Sequence, residues 1–434
     1  MKISLFIEHG IPRPWDRDTE RKAFNDALEL AELADKVGVH ELWVTEHHFL
    51  EEYSHSSAPE VWLGAATQRT QRIRLGHGIM QLPPQINHPL RAAERVATLD
   101  LLSGGRLDFG TGEASSTAEL GGFVVDPATK RAAWTEGLTT IVRAMTEEPF
   151  TGVDGQFVQA PPRNVVPKPY QHPHPPLWVA CTRSDTVRFA ATQGIGALSF
   201  SLKGPETFGE IVANYYQTLE EAVPIGKAVN ADTVAYLGDL LIADTEGQAR
   251  ERIGIGEGWL GYGISYYYVQ GRHHPGRDSL FELFKAYKEG EIAKAEQLAA
   301  ELEAGRSARP DWEEVAAASK IASAGVGSPA QLIETLASFE QVGADQVMFS
   351  LPAVDHEANM ETVAALAKVL PQFIERDEKF VQAKTERLAP VIDKVMARRV
   401  DTAPKLDPDY TCGGIPVGFD RKYKAAEVVE SLEV

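Results

Sequence analysis

The sequence predicts a (β/α)₈ barrel, the TIM-barrel fold, and three observations support that prediction. Eight short apolar runs alternate with helical patterns along the 434 residues, as expected of parallel strands that are buried on both faces. The segments 36–44 (KVGVHELWV) and 341–349 (QVGADQVMF) share one helix-glycine-strand pattern, which indicates a reused unit. The segment Gly110-Thr111-Gly112 lacks the third glycine of a dinucleotide fingerprint. An open doubly wound sheet is the alternative fold.

The individual strands and helices are predicted from the spacing of apolar residues along the chain. Apolar runs rich in strand formers predict strands at residues 3–8, 41–46, 73–80, 106–112, 177–182, 196–201, 234–243 and 346–352. Apolar residues at three- and four-residue spacing predict helices at 19–37, 89–102, 129–145, 184–193, 206–222 and 356–373. The first helix illustrates the reasoning, because Ala27, Ala31 and Ala34 fall on one face and Gly38 stands where a left-handed cap belongs.

Two segments do not fit this alternation. We predict a barrel domain over residues 1–376, interrupted after the seventh strand by an insertion at about 254–324. We predict a C-terminal extension over 377–434, with a helix to about residue 399 and a tail rich in proline and glycine. The insertion carries four large aromatic residues that could line an apolar pocket or form its own small core: Trp259, Tyr262, Tyr266 and Tyr268.

Charge and composition exclude several classes of protein. The net charge is −19, which disfavours binding to nucleic acid or to an anionic membrane surface. No apolar stretch approaches the roughly 20 residues of a membrane span, and the N-terminal run is too short for a signal peptide. Two cysteines exclude a disulfide framework and a four-thiolate zinc site. We therefore expect a soluble, cytoplasmic protein.

We expect catalytic residues at the carboxyl ends of the predicted strands, because the active sites of barrel enzymes lie there. The polar residues at those ends include Glu8, Glu46, His47, His48, Gln81, Thr111, Glu113, Thr182, Arg183 and Ser184. The densest cluster is Glu46-His47-His48. Since strand residues alternate, Glu46 and His47 should face opposite sides, with one at the barrel mouth. A histidine there can manage protons near neutral pH, or it can simply be part of a hydrogen-bonded rim. We predict no metal site, since no second histidine pair converges on this one.

The segment 181–186 (CTRSDT) has the features of an anion site. A strand ends, a helix starts near Ser184, and the free N–H groups of that start would join the Thr182 and Ser184 hydroxyls and Arg183 around a phosphate. The alternative is that Ser184 or Asp185 only caps the helix. Both interpretations can hold together.

At this point the chain resembles the bacterial luciferase-like flavin monooxygenases. The resemblance rests on five motifs in order: WVTEHHF (43–49), LGHGIMQLPPQINHPLRAAE (75–94), LDLLSGGRLDFGTG (99–112), PPLWVACT (175–182) and VGSPAQLIE (326–334). It implies a (β/α)₈ barrel with an insertion after the seventh strand. It also implies reduced FMN, supplied by a separate NAD(P)H:flavin reductase, and O₂ activated as a flavin 4a-hydroperoxide that oxygenates a small, apolar organic substrate.

The resemblance leaves two other functions open. One branch of the family uses a reduced deazaflavin, moves hydride and needs no O₂. A non-catalytic flavin-binding partner subunit is a third possibility, although the presence of His47 argues against it. A homodimer is the assembly that the resemblance implies.

The family's functional residues transfer to this chain position by position. His47 matches the histidine of the EHHF motif, with Glu46 beside it, and His88 matches a histidine near the flavin. For the cofactor, the resemblance together with the strand-end argument predicts contacts at Gly78, Ile79, Thr111, Thr182, Arg183 and Ser184. There is one departure. Glu113 stands where luciferases carry a basic residue that helps hold the FMN phosphate, and a carboxylate there would repel the phosphate.

Overall fold

The computed structural model describes residues 1–200, 204–270, 273–288, 324–352, 355–399, 403–407 and 409–411. Eight parallel strands form the barrel: β1 (Lys2–Ile7), β2 (Glu41–Val44), β3 (Arg74–His77), β4 (Leu107–Gly112), β5 (Leu177–Cys181), β6 (Gly196–Ser199), β7 (Thr233–Ile242) and β8 (Gln346–Ser350). Each strand pairs with the next, and β8 returns to pair with β1, where Phe6 lies opposite Ser350. The closed barrel confirms the predicted fold and excludes the open sheet.

Helices surround the barrel and pack against its two ends. In chain order they are α1 (Thr19–Val37), α2 (Pro59–Arg69), α3 (Pro89–Ser103), α4 (Thr117–Gly122), α5 (Lys130–Thr146), α6 (Ser184–Thr192), α7 (Pro205–Leu219), α8 (Glu246–Ile253), α9 (Trp259–Ile264), α10 (Leu280–Lys288), α11 (Pro329–Gln341), α12 (His356–Ala365) and α13 (Pro371–Ala397). Helix α1 has the predicted ends, and Gly38 caps it at a φ of 95°, a conformation that costs glycine little. None of the helices in the described ranges is both long and apolar enough to cross a bilayer.

The inside of the barrel is filled by aromatic side chains. Trp43 and Trp178 pack edge to face with their ring centroids 5.5 Å apart, and both are almost fully buried. A Cβ atom on Gly76 would lie 2.2 Å from the Trp43 ring, so this strand position admits only glycine. Above them, the rings of Phe6, Phe200 and Tyr236 are 5.3 to 6.1 Å apart. We call these three rings the aromatic floor, because they close the barrel just below its C-terminal mouth.

The insertion and the C-terminal helix lie at opposite ends of the barrel. The described part of the insertion packs on the mouth, where Tyr53 leaves no room for a Cβ atom on Gly263. Within the predicted insertion, helix α10 is described as far as Lys288, and residues 289–323 lie outside the described residues. At the other end, Lys384 of α13 binds Asp232 and Asp345 at 2.5 and 2.6 Å.

One predicted helix was wrong. The pattern over residues 356–373 forms two helices rather than one, since α12 ends at Ala365 and α13 begins at Pro371. Proline has no N–H group to continue a helix, and it suits the first position of the next one. Helix α13 then runs through residue 376, so the predicted start of the C-terminal extension falls within a helix.

Candidate active site

His47 lies just past β2 and faces the barrel mouth. Its Nδ1 atom is 2.9 Å from Oε1 of Glu119, and its Nε2 atom is 3.8 Å from Oε2 of Glu8 at the end of β1. The imidazole is therefore held between two carboxyl groups. Of the two adjacent residues Glu46 and His47, it is the histidine that enters the site.

Glu119 is fixed on its other side by the start of the short helix α4. The Ser116 hydroxyl accepts a hydrogen bond from the Glu119 N–H at 3.1 Å and donates to Glu119 Oε2 at 2.6 Å. The amide of Gln81 donates to Glu119 Oε1 at 2.5 Å. Glu119 is fully buried, so these bonds replace the water that a carboxylate needs. Glu119 was not among the site residues predicted from the sequence.

Charge and burial set the protonation of the site. Burial alone would lower the pKa of His47, but the carboxylates of Glu119 and Glu8 raise it to about 9. Burial would raise the pKa of Glu119, but the contact with His47 lowers it to about 2. At neutral pH the two residues therefore form a buried ion pair. Glu8 differs, because burial raises its pKa to about 7 against the opposing effects of His47 and Tyr53.

Two tyrosines enclose the histidine. The Tyr53 hydroxyl donates to Glu8 Oε1 at 3.1 Å, and its ring centroid is 5.5 Å from that of His47. The Tyr268 hydroxyl comes from the insertion and lies 3.3 Å from His47 Nε2. Burial raises the pKa of both tyrosines well above 10, so they remain neutral. Tyr268 shows that at least part of the insertion contributes to the site.

The other two predicted catalytic residues lie elsewhere. Glu46 faces away from His47 and accepts hydrogen bonds from the Gln81 N–H at 2.7 Å and the Asn87 amide at 2.8 Å. In this structure Glu46 anchors the loop that carries Gln81. His88 is exposed and caps α3 by accepting from the Leu90 N–H at 3.3 Å. Among the described residues, His88 forms no hydrogen bond with His47, Glu119 or Glu8.

The predicted ring-binding positions surround the aromatic floor. A Cβ atom on Gly78 would lie 2.9 Å from the Phe6 ring, and one on Gly112 would lie 2.4 Å from Ile79. Ile79 is half-buried beside this floor. Thr111 is different, because its hydroxyl donates to the Trp178 carbonyl at 2.8 Å and so is occupied by the protein itself.

The predicted anion site is exposed at the start of α6. Thr182, Arg183 and Ser184 all reach solvent, and the Arg183 guanidinium donates to both oxygens of Asp185 at 3.0 and 2.9 Å. Helix α6 has nine residues, and the N–H groups of its first turn are suited to an anion. The donor set of hydroxyls, N–H groups and a guanidinium fits a phosphate.

The structure supplies cations next to Glu113. Arg131 of α5 forms an ion pair with Glu113, and Lys130 lies 3.9 Å from the same carboxylate. The Arg131 guanidinium also stacks over the Phe189 ring of α6, at 4.3 Å from its centroid. Glu113 is therefore neutralised by basic residues from a different element, which the sequence comparison with luciferases did not anticipate.

An eight-stranded barrel with a buried ion pair at the carboxyl ends of its strands has the architecture of an enzyme. No group of three or more His, Cys, Asp or Glu residues in the described ranges is arranged to hold a metal ion. The family model described as "Luciferase-like monooxygenase" matches residues 1–346. The chain belongs to this family, which supports an oxidoreductase of the monooxygenase type.

Relatives in the family include enzymes with different cofactors. The chain is 32% identical over 248 residues to 4-hydroxyprotoasukamycin monooxygenase of Streptomyces nodosus, covering 56% of this chain and 65% of that one. It is 27% identical over 258 residues to the oxygenase component of a flavin-dependent trigonelline monooxygenase of Acinetobacter baylyi, covering 58% and 67%. It is 32% identical over 229 residues to an F420-dependent glucose-6-phosphate dehydrogenase of Beutenbergia cavernae, covering 51% and 64%. The chain thus spans about two thirds of the length of these curated relatives.

Solved structures show the same barrel. The monooxygenase RslO1 from Streptomyces bottropensis has a TM-score of 0.63 and 25% identity, covering 86% of this chain and 100% of that one. The F420-dependent tetrahydromethanopterin reductase of Methanopyrus kandleri has a TM-score of 0.58 and 19% identity, covering 86% and 99%. The second likeness concerns the fold alone.

Proposed function

We propose that this chain is the oxygenase of a two-component monooxygenase that uses reduced FMN and O₂ on a small organic substrate. A separate NAD(P)H:flavin reductase would supply the reduced FMN. The observation that carries the proposal is the buried His47–Glu119 ion pair beside the aromatic floor, because a cationic imidazole there can supply a proton as O₂ is reduced to the level of water.

The residues present fit FMN at both of its ends. The start of α6, with Thr182, Arg183 and Ser184, would hold the phosphate, and Arg131 would shield it from Glu113. Ile79 and the aromatic floor would support the flat apolar rings. Bound reduced FMN supplies the electrons that activate O₂.

His47 is the group that handles the proton. Because its pKa is about 9, it is protonated at neutral pH, and Glu119 occupies its Nδ1 atom. The Nε2 atom lies 3.3 Å from the Tyr268 hydroxyl and 3.8 Å from Glu8, and from there its N–H group would donate toward the reacting atoms. Glu8, with a pKa of about 7, can accept a proton from the same side. Tyr53 and Tyr268 keep water away from the imidazole, which strengthens its electrostatic effect.

Mixing reduced FMN with O₂ in the presence of the protein tests this proposal. We expect oxidised flavin to reappear after a lag that free flavin lacks, and His47→Gln to shorten the lag. A panel of ketones, aldehydes, phenols and amines with a generic reductase would then identify the substrate by its oxygenated product. Flavin that oxidises at the rate of free flavin would contradict the proposal. Tight binding of reduced deazaflavin, with hydride transfer and no O₂ consumption, would favour the alternative cofactor.

A further inference from the structure

A second cavity lies beside the His47 site. Its volume is about 180 Å³, and it lies between the ends of β1 and β8, the inner faces of α1 and α12, and the indole of Trp259 from the insertion. Glu8 and Tyr53 line this cavity and also contact or flank His47. The cavity therefore shares a wall, formed by Glu8 and Tyr53, with the candidate active site, and we call it the polar crevice.

The polar crevice collects buried groups that have no hydrogen bond. Among the described residues, five such atoms line it: Glu8 Oε2, His9 Nε2, Trp259 Nε1, His356 Nδ1 and Asn359 Oδ1. His9, Trp259 and Asn359 are each more than nine-tenths buried. Buried polar groups in proteins almost always find a partner. Glu8 Oε2 faces His47 at 3.8 Å, but the other four, which lack a partner around a single cavity, indicate a ligand or ordered water there.

The chemistry of these atoms defines the ligand. The Trp259 indole N–H can only donate, so it needs an acceptor on the ligand, while Asn359 Oδ1 can only accept, so it needs a donor. A hydroxyl group satisfies both requirements, and a carbonyl satisfies the first. Burial lowers the pKa of His9 to about 3, so its ring is neutral and adds no positive charge.

Charge excludes an anionic ligand. Three carboxyl groups line the polar crevice, those of Glu8, Asp26 and Asp239, and no lysine or arginine is among its described lining residues. A cation would suit the carboxylates but would leave the Trp259 N–H without an acceptor. An uncharged group that both donates and accepts therefore fits best.

We propose that the polar crevice binds an uncharged, hydroxyl-bearing end of the substrate, while the rest of the substrate reaches the mouth beside His47. The identification of this ligand as the substrate rests on the proposed function, but its binding to the polar crevice requires neither flavin nor O₂. It narrows the substrate from any small apolar compound to an alcohol, diol or hydroxyketone with an apolar body.

The test uses three probes of matched size on the full chain without flavin: cyclohexane-1,2-diol, cyclohexylammonium and cyclohexanecarboxylate. With ¹⁵N-tryptophan labelling, the seven tryptophans give a small set of indole signals, and Trp259→Phe identifies that of Trp259. We expect the diol to shift the Trp259 signal in a saturable way and the two charged probes to leave it in place.

Two variants check the contacts. Trp259→Phe keeps an aromatic ring but removes the N–H group, and Asn359→Leu removes the acceptor at similar size. We expect each to weaken diol binding about tenfold, measured by calorimetry. The matched control is Trp15→Phe, because the Trp15 N–H bonds the Ile11 carbonyl outside the crevice. Its diol affinity should equal that of the wild type.

The outcomes separate this inference from the proposed function. A diol that shifts no indole signal, or a charged probe that binds more tightly than the diol, overturns the polar crevice as a hydroxyl site even if FMN chemistry is found. Diol binding that Trp259→Phe and Asn359→Leu weaken supports the crevice even if no oxygenated product ever forms.

Discussion

The two ends of the candidate site are built in different ways. At one end, His47 and Glu119 are buried, face each other at 2.9 Å and are held by Ser116 and Gln81 before any ligand binds. At the other end, Arg183 is 71% exposed and its guanidinium is bound by Asp185. The first end is preorganised for proton chemistry. The second has the right groups for a phosphate, but solvent and a neighbouring carboxylate share them.

The difference in burial between the two ends indicates which substitutions should have large effects. A buried ion pair in a low-dielectric site acts strongly on a reacting group and is costly to break. Exposed charges are screened by water and salt, so each contributes little alone. We therefore expect substitutions at the His47 end to change rates and stability greatly, and those at the α6 end to change affinity modestly.

The largest expected effect is that of His47→Gln on catalysis. Removing the proton donor should lower the yield of oxygenated product at least about 100-fold, a typical contribution of general acid–base catalysis. The measurement is product formed per reduced FMN consumed, with the substrate found in the panel. His55→Gln is the matched control, since His55 binds Glu20 near the surface at 2.8 Å. A His47→Gln variant that kept full yield would make the ion pair a structural feature only.

The same pair should affect stability with a defined pH dependence. Because the folded-state pKa of His47 is about 9, above its ordinary 6.5, its stabilising effect is complete below pH 6.5 and is lost as the pH rises through about 9. The difference in free energy of unfolding between wild type and His47→Gln should shrink by roughly 3 kcal/mol across that window. Glu119, with its pKa lowered to about 2, loses its effect only at acid pH. Urea denaturation at several pH values measures the difference, and a constant value would contradict the pair.

Glu119→Gln should move the pH profile without removing the proton donor. With the carboxylate gone, the pKa of His47 falls from about 9 toward its ordinary 6.5, so the alkaline limb of the rate profile should shift to lower pH. Ser116→Ala is a milder comparison, because it removes one hydrogen bond to Glu119. An unchanged alkaline limb in Glu119→Gln would show that another group sets the pKa.

The smallest expected effects are those at the α6 end. Arg131→Ala and Arg183→Ala should each weaken FMN binding about tenfold or less and leave riboflavin binding unchanged, because riboflavin has no phosphate. Calorimetry with both ligands measures this, and Arg21→Ala on the exposed face of α1 is the control. Equal losses for FMN and riboflavin would place the phosphate elsewhere.

Periodicity predicted the fold well, since all eight strands and the turn at Gly38 depend on local patterns. The rule that barrel active sites lie at the carboxyl ends of the strands likewise identified His47, Glu8 and Gln81 as candidate site residues. Glu119 was not predicted as a site residue because its local pattern, Ser116-x-x-Glu119, indicates only the start of a helix. Its role depends on His47, which is 72 residues away in the chain. Tyr268 was predicted only to line an apolar pocket or to pack within the insertion, because its contact with His47 joins residues 221 positions apart in the chain. Arg131 was not predicted because it lies on a helix rather than at a strand end.

At neutral pH, His47 should be a protonated, buried partner of Glu119. Nuclear magnetic resonance of ¹⁵N-histidine-labelled protein, with the His47 signal identified by His47→Gln, measures this directly. We expect the His47 ring to titrate near pH 9 in wild type and closer to 6.5 in Glu119→Gln. A wild-type ring that is already neutral at pH 7 would contradict it.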